Sequence, residues 1–487
     1  MKNLFFFIGA LILFASCSDP RLKQPNFLFI LVDDQPFDAL GYMGRYPFLE
    51  TPNMDMLRNE GIHFENYFVT MSLCSPSRAS ILTGTYPHIH GANQNSWQMD
   101  PDWDRYQPYT THLQTAGYET AMVGKIHMAH KDGKDHIRPG FDYWLSFNGQ
   151  GDYFNPKLNE NGNEFQVEGY MTDILSDYTV DWLKEKRDKS KPFCLHLWHK
   201  AVHEDHSPAP RHIDLYKDDK LPEPPYETHK ETFNGKPEWQ RIKAYDINYK
   251  DYKPVNELPE KPWGIKEAKY MKLLKCLSAI DESLGRVMAE LEAQGELDNT
   301  VIIYSSDNGY FMGEHTYWDK RIAYENSIRV PLIVRYPGFI RANSKAEELC
   351  LNIDIAPTIL ELAGVVPPDY IQGKSLANIL KGKENNWRDA FLFEYYVSDL
   401  YPYAGPNMLA VRTERYKLVD GFLENDIDEL YDLQNDPGEM DNLINNPEFD
   451  EIELQLRTRL EELKKEYKYN PDRDWWLRQV LENKKDR

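Results

Sequence analysis

Positive charge, cysteine and long apolar runs are all scarce in this sequence. Lys and Arg number 56 against 78 Asp and Glu, a formal net charge of -22. That balance excludes a nucleic-acid binder that works by phosphate neutralisation, and it argues against attachment to anionic lipid through charge. Five cysteines in 487 residues make no disulfide framework. Cys194, Cys276 and Cys350 lie in apolar or amphipathic surroundings, which predicts buried thiols that act as small hydrophobes. Apolar runs stay below the length of a membrane span, and no repeat or low-complexity tract interrupts the chain.

What is present begins with an address. Lys2 is followed by the apolar stretch Leu4 to Ala15, which reads as a secretory signal over residues 1–16. Ala15-Ser16 stand just before Cys17, the pattern of a bacterial lipoprotein. The expectation is an exported protein in the periplasm or at the outer membrane or cell surface, held to the membrane by lipid on Cys17. A plain cleaved signal with Cys17 near its cut site is the alternative.

Beyond the signal, short apolar runs alternate with helical patterns. Asn26 to Val32, Glu119 to Val123, Phe193 to Trp198, Thr300 to Ser306 and Val330 to Val334 have strand length and near-continuous apolarity, as expected of strands buried on both faces. His63 to Phe68 reads as a further short strand. Helices are expected at Pro52 to Gly61, Thr110 to Ala116, Ala268 to Gln294, Ile355 to Leu362 and Ile452 to Tyr467. This alternation predicts an α/β fold with a large, mostly parallel or mixed central sheet flanked by helices. From about Trp387 the texture changes to short strands at Phe391 to Tyr395, Met408 to Arg412, Tyr416 to Val419 and Glu429 to Leu433. The expected organisation is a catalytic domain over 25–385 and a C-terminal antiparallel-sheet subdomain over 386–487. Residues 201–262 are rich in Pro, charge and aromatics with weak periodicity, and are expected to form part of a substrate rim.

Chemistry-bearing residues cluster just past the strand ends, where open α/β sheets place their sites. Asp33-Asp34 follow the first strand and Asp307-Asn308 follow the Thr300–Ser306 run. Either pair alone could be a solvated strand end. Brought together they would make a hard, oxygen-rich site suited to calcium or magnesium rather than zinc. Lys125 and His203 also stand beyond strand ends. Cys74 in Cys74-Ser75-Pro76-Ser77-Arg78 could be a buried thiol at the start of a helix, or an unmodified nucleophile.

Cys74-Ser75-Pro76-Ser77-Arg78 followed by Leu82-Thr83-Gly84 resembles the maturation motif of the type I sulfatases, formylglycine-dependent members of the alkaline phosphatase-like superfamily. The resemblance extends through Gly313-Glu314-His315, Ile328-Arg329-Val330-Pro331 and Asp354-Ile355-Ala356-Pro357-Thr358 to Tyr431-Asp432-Leu433. It implies an alkaline phosphatase-like sandwich and a sulfuric ester hydrolase in which Cys74 is oxidised to formylglycine (3-oxoalanine) by a dedicated maturing enzyme. The aldehyde hydrate would attack sulfur, and deprotonating its second hydroxyl would expel sulfate, a release that serine or cysteine lacks. By the same resemblance Asp33, Asp34, Asp307, Asn308 and the residue at 74 hold the metal, usually calcium, with magnesium possible. Arg78 neutralises and orients the nucleophile, Lys125 and Lys320 hold nucleophile and sulfate, His127 is the base and His203 meets the leaving-group oxygen. His203 sits in His199-Lys200-Ala201-Val202-His203, which leaves the register between His199 and His203 open.

The implied substrates are sulfated polysaccharides or their oligosaccharides, glycosaminoglycan or algal (ulvan, carrageenan), and the likeness is to the N-acetylglucosamine-6-sulfatase and iduronate-2-sulfatase side of the family. A phosphomonoesterase or phosphonate monoester hydrolase of the same superfamily is the alternative within catalysis, and retention of Lys125, His127 and Lys320 favours sulfate over it. A noncatalytic sulfoglycan-binding lipoprotein would leave the metal and nucleophile set without a purpose. Candidate rim residues are His88, His90, Asn93, Trp97, His130, Asn148, Trp198 and Tyr395-Tyr396.

Overall fold

The computed structural model describes residues 24–95, 100–128, 136–224, 235–237, 240, 263–383, 386–396, 407–421 and 427–469. The signal, Cys17, Trp97, His130 and most of 225–262 therefore lie outside the described residues.

Ten strands form one mixed sheet. In chain order they are β1 (Asn26–Val32), β2 (Ile62–Phe64), β3 (Glu119–Gly124), β4 (Tyr143–Ser146), β5 (Lys157–Glu160), β6 (Asn163–Gln166), β7 (Phe193–Trp198), β8 (Thr300–Ser306), β9 (Leu332–Arg335) and β10 (Ser344–Ala346). Their order across the sheet is β10-β2-β9-β8-β1-β7-β3-β4-β5-β6. The central run β8-β1-β7-β3-β4 is parallel throughout, and β9 joins it antiparallel to β8. Pro331 explains why β9 starts later than the apolar run suggests, since proline cannot donate to a ladder. The expected strand over His63 to Phe68 is split into β2 and a two-residue strand, Tyr67–Phe68, that pairs elsewhere with Cys350–Leu351.

β1 shows why its residues make a central strand. Phe27, Phe29 and Leu31 point into one core, and Leu28, Ile30 and Val32 into the other, all fully buried. The helices follow from that two-sided apolarity. α1 (Pro52–Glu60) and the long α5 (Trp263–Ala293), which begins earlier than expected, cover one face together with α4 (Met171–Asp181). Leu273, Leu277, Ile280 and Leu284 of α5 enter that core at helical spacing. α2 (Cys74–Thr83), α3 (Tyr109–Thr115) and α6 (Ile355–Leu362) belong to the opposite face.

A separate antiparallel sheet of four strands follows: β11 (Ala390–Tyr395), β12 (Met408–Thr413), β13 (Tyr416–Gly421) and β14 (Glu429–Asp432). α7 (Asp450–Glu466) buries Leu456, Leu460 and Leu463 against it. Its apolar side chains are continuous with those under α2 and α6, so both sheets share a core. Cys194, Cys276 and Cys350 are buried free thiols, as their surroundings led one to expect. Among the described residues no helix is long and apolar enough to cross a membrane.

Candidate active site

Four neighbouring strands end side by side, and their backbones stay bonded past those ends. Asp33 N donates to Ala201 O (3.0 Å), Asp307 N to Val32 O (3.0 Å), Lys125 N to Trp198 O (2.7 Å) and Val202 N to Asp33 O (2.8 Å). The ladder carries Asp33-Asp34, Asp307-Asn308, Lys125 and the 199–203 turn to one spot at the carboxyl edge of the sheet. Gly124 is required there: a Cβ would lie 1.9 Å from Trp198 O, and its φ of +118° suits glycine.

Cys74 is brought to the same spot by α2. Leu73 is extended and Cys74 opens the helix, with Pro76 in the first turn, where proline costs no backbone bond. Gly84 ends it in the left-handed region at φ +67°. Position 74 thus faces the unpaired N–H end of a ten-residue helix, which favours negative charge. The thiol lies 3.4 Å from Asp33 Oδ1 and accepts a hydrogen bond from Lys320 Nζ at 2.9 Å. Burial, with Asp33 next, pushes that thiol up to about 12. Without a metal ion beside it the side chain is held as the thiol, and the sulfur stands where an oxygen of an oxidised side chain would sit.

Around it stand three buried carboxylates and three buried cations. Arg78 Nε donates to Asp307 Oδ2 (2.8 Å), Arg78 Nη1 to Lys125 O (2.6 Å), and Arg78 Nη2 comes within 3.4 Å of Asp33 Oδ2. Lys125 is bonded to Asp33 and Gln150, and Lys320 to Asp34. Asn308 Nδ2 donates to Asp34 Oδ1 at 2.5 Å, leaving Asn308 Oδ1 buried without a hydrogen-bond partner. Burial opposes ionisation of all three acids. The Lys125 ammonium, with Arg78 and Lys320, nevertheless holds Asp33 well below the carboxylate range. Burial and the neighbouring carboxylates raise Asp34 to about 7 despite Lys320, and Asp307 moves up for the same reasons.

This donor set fits a divalent metal ion. Ligand atoms of Asp33, Asp34, Cys74 and Asp307 all lie within 4.8 Å of one another, and Asn308 Oδ1 has an unused lone pair beside Asp34. Three side-chain acids and an amide oxygen suit calcium or magnesium. Such an ion would keep Asp34 ionised and, since three acids balance Arg78, Lys125 and Lys320, would leave the site net positive toward an anion.

Both histidines join the cluster. His203 Nδ1 lies 2.7 Å from the Glu204 carbonyl, which assigns its proton to Nδ1 and turns Nε2 inward, 3.9 Å from Asp34 Oδ2. Burial and the Lys125 charge hold its pKa well below the imidazole range. His199 points instead toward α5, where Nε2 meets Ser283 Oγ at 3.4 Å. His127 sits at φ +57° with Nδ1 buried and unpartnered, its pKa also lowered well below normal by burial and Lys125.

Several expected rim residues are not on a rim. The His88 side chain is buried, with Nδ1 2.7 Å from Glu394 and Nε2 3.0 Å from Tyr467 O. His90, Asn93, Trp198, Tyr395 and Tyr396 are buried too. Trp198 carries the Arg78 guanidinium over its ring at 5.5 Å, so it supports the site from below. Asn148 is exposed. Sequence reasoning missed Gln150, bonded to Lys125, and Asn95, whose Oδ1 accepts from Ser75 N at 2.9 Å. Neither carries a pattern; both are placed by loops.

Comparison with known proteins identifies the family. The Sulfatase family model matches residues 25–365, and a model of the N-sulphoglucosamine sulphohydrolase C-terminal region matches 313–466. An N-acetylglucosamine-6-O-sulfatase of Bacteroides thetaiotaomicron is 36% identical, over 94% of this chain and 90% of its own. An ulvan-active sulfatase of Formosa agariphila is 28% identical, over 93% of this chain and 84% of its own. A solved structure of an enzyme in complex with its substrate, D-glucosamine-2-N,6-O-disulfate, superposes with a TM-score of 0.79 at 34% identity, covering 92% of this chain and 99% of that one. A phosphonate monoester hydrolase of Agrobacterium radiobacter has a TM-score of 0.75 at 22% identity over 91% of this chain and 96% of its own, which speaks to the fold alone. The chain is a member of the sulfatase family, enzymes that hydrolyse sulfate esters.

Proposed function

We propose that this sulfatase removes 6-O-sulfate from glucosamine units of a sulfated polysaccharide or its oligosaccharides. The likeness that carries this is the 36% identity, along nearly the whole chain, to a protein named for N-acetylglucosamine 6-O-sulfate. The enzyme bound to a glucosamine disulfate supports it, at 34% identity. Ulvan and carrageenan become the second choice, supported by the more distant ulvan-active relative.

In the mechanism we infer, Asp33, Asp34, Asp307, Asn308 and the residue at 74 hold calcium, or magnesium in second place. The ion supplies Lewis-acid polarisation of the sulfate. Matured to formylglycine, position 74 supplies one hydroxyl to attack sulfur and a second whose deprotonation releases sulfate. The protein's own groups do the rest. Lys125 and Lys320 exchange their carboxylate contacts for sulfate oxygens, Arg78 orients the nucleophile through Asp307, and the free imidazole of His127 takes a proton. Once the anionic ester is bound and offsets the lysine charge, His203 takes up a second proton on Nε2 and delivers it to the departing sugar oxygen. These local cations offset the field of a chain with net charge -22. We further propose export through residues 1–16 and lipid attachment at Cys17, with maturation of Cys74 by a formylglycine-generating or radical maturing enzyme.

The test is sulfate release, resolved by position, from 6-sulfated N-acetylglucosamine, glucosamine 2-N,6-O-disulfate, and oligosaccharides of chondroitin, ulvan and carrageenan. Fastest release from the 6-position of glucosamine is expected. Release from ulvan or carrageenan with none from either glucosamine would overturn the sugar assignment.

A further inference from the structure

Lys200 is the residue the mechanism leaves idle. It is 3% exposed, yet among the described residues its side chain makes no hydrogen bond and no ion pair. Its Nζ rests over the Tyr153 ring, 4.6 Å from the centroid. A side chain so nearly enclosed normally finds an anion, because a largely desolvated ammonium without a partner is costly.

Its surroundings say where that anion comes from. Lys200 O accepts from His203 N at 3.1 Å, and Tyr153 OH donates to His203 O at 2.6 Å, so Lys200 and Tyr153 clamp the turn that presents His203. Of the charges Lys200 feels, the Lys125 ammonium comes first, ahead of Asp33, Asp205 and Asp152, and with burial it brings Lys200 down to about 8. Lys200 is thereby held beside the turn that carries His203, and among the described residues its ammonium has no hydrogen-bond or ion-pair partner. The scissile sulfate already has Lys125 and Lys320.

We propose that Lys200 is a specificity-determining residue that binds a second anionic substituent of the sugar, a sulfate or carboxylate other than the one cleaved. This rests on the glucosamine reading above and names within it a preference for doubly charged units. A charge-assisted contact made by a preplaced, unpaired ammonium avoids the usual loss of a competing partner.

The experiment compares full-length, matured wild type with Lys200→Met, which keeps the stem over Tyr153. Sulfate release is measured from 4-nitrophenyl sulfate, 6-sulfated N-acetylglucosamine and glucosamine 2-N,6-O-disulfate, alongside thermal melting. Expected for the variant is a fall of about tenfold or more in kcat/KM on the disulfate, chiefly through KM. The other two substrates should change less than about twofold and Tm should hold or rise. Equal losses on all three substrates would assign Lys200 to positioning His203 and overturn the proposal, as would no loss on the disulfate. A lowered Tm with unselective losses would make it structural and do the same. Wild-type inactivity on both glucosamine sulfates, with 4-nitrophenyl sulfate still cleaved, would overturn the sugar assignment and take the Lys200 role with it.

Discussion

Two of the buried-charge clusters among the described residues differ in what they leave unfinished. One is the candidate active site. The other joins the four-stranded sheet to the segment after Lys320. There Lys417 Nζ reaches Ala323 O (2.8 Å), Glu325 Oε1 (2.8 Å) and Glu439 Oε1 (2.6 Å), one acceptor for each of its protons. Glu439 Oε2 accepts from Glu325 N at 2.7 Å, Arg412 Nη2 lies 3.3 Å from Glu325, and Lys236 Nζ donates to Glu439 O at 2.6 Å. In the active site, by contrast, Asn308 Oδ1, His127 Nδ1 and Arg78 Nη2 are buried without a hydrogen-bond partner. The same residue types serve as a brace where valences close and as a reaction centre where they stay open.

The largest way to break that comparison is at position 74. Cys74→Ala removes a fully buried side chain that the brace never touches. Sulfate release should drop by about 10⁴-fold or more, while substrate binding and melting temperature stay near wild type. Mass spectrometry of active wild type should find position 74 as aldehyde or hydrate. An active enzyme retaining the full thiol would remove position 74 from the chemistry.

Lys417→Met attacks the other side. It leaves Glu325 and Glu439 buried together without their shared cation, a loss of about 3–5 kcal/mol. Melting should fall by several degrees, with kcat/KM per folded molecule unchanged. Were activity to collapse while Tm held, the brace would belong to the site and the distinction would fail.

Legibility in sequence followed a similar divide. β1, β7 and β8 were visible because strands buried on both faces must be apolar, and Asp33, Lys125 and Asp307 stood out because charge follows each run at once. The brace and the rim were not visible. His88 looked like a surface histidine because its partners, Glu394 and Tyr467, lie 306 and 379 residues away in the chain. Tyr395 and Tyr396 looked like stacking platforms for sugar, but the four-stranded sheet turns them into the common core. Lys200 reads as an ordinary charged neighbour of His199 until the 149–153 loop lays Tyr153 against it. Periodicity records which face of an element is apolar; it does not record which distant loop covers that face.

The smallest effect expected is the most discriminating within the site. His203 presents only Nε2 inward, because Nδ1 is committed to the Glu204 carbonyl at 2.7 Å. In the free site burial and Lys125 lower the imidazole pKa, so in the proposed mechanism the Nε2 proton is gained only when an anionic ester offsets the lysine charge. A sugar alkoxide is a poor leaving group and needs that proton; a nitrophenolate does not. His203→Ala should therefore cost about 10²-fold in kcat on a sugar sulfate and less than about fivefold on 4-nitrophenyl sulfate. Equal losses on the two would move proton delivery away from His203. His199 would be a poor successor, since its ring is turned to Ser283 on the far side of the turn. Preserved sugar-sulfate turnover would imply that the metal and lysines alone stabilise the alkoxide, and that the open valences of the site serve the sulfate rather than the sugar.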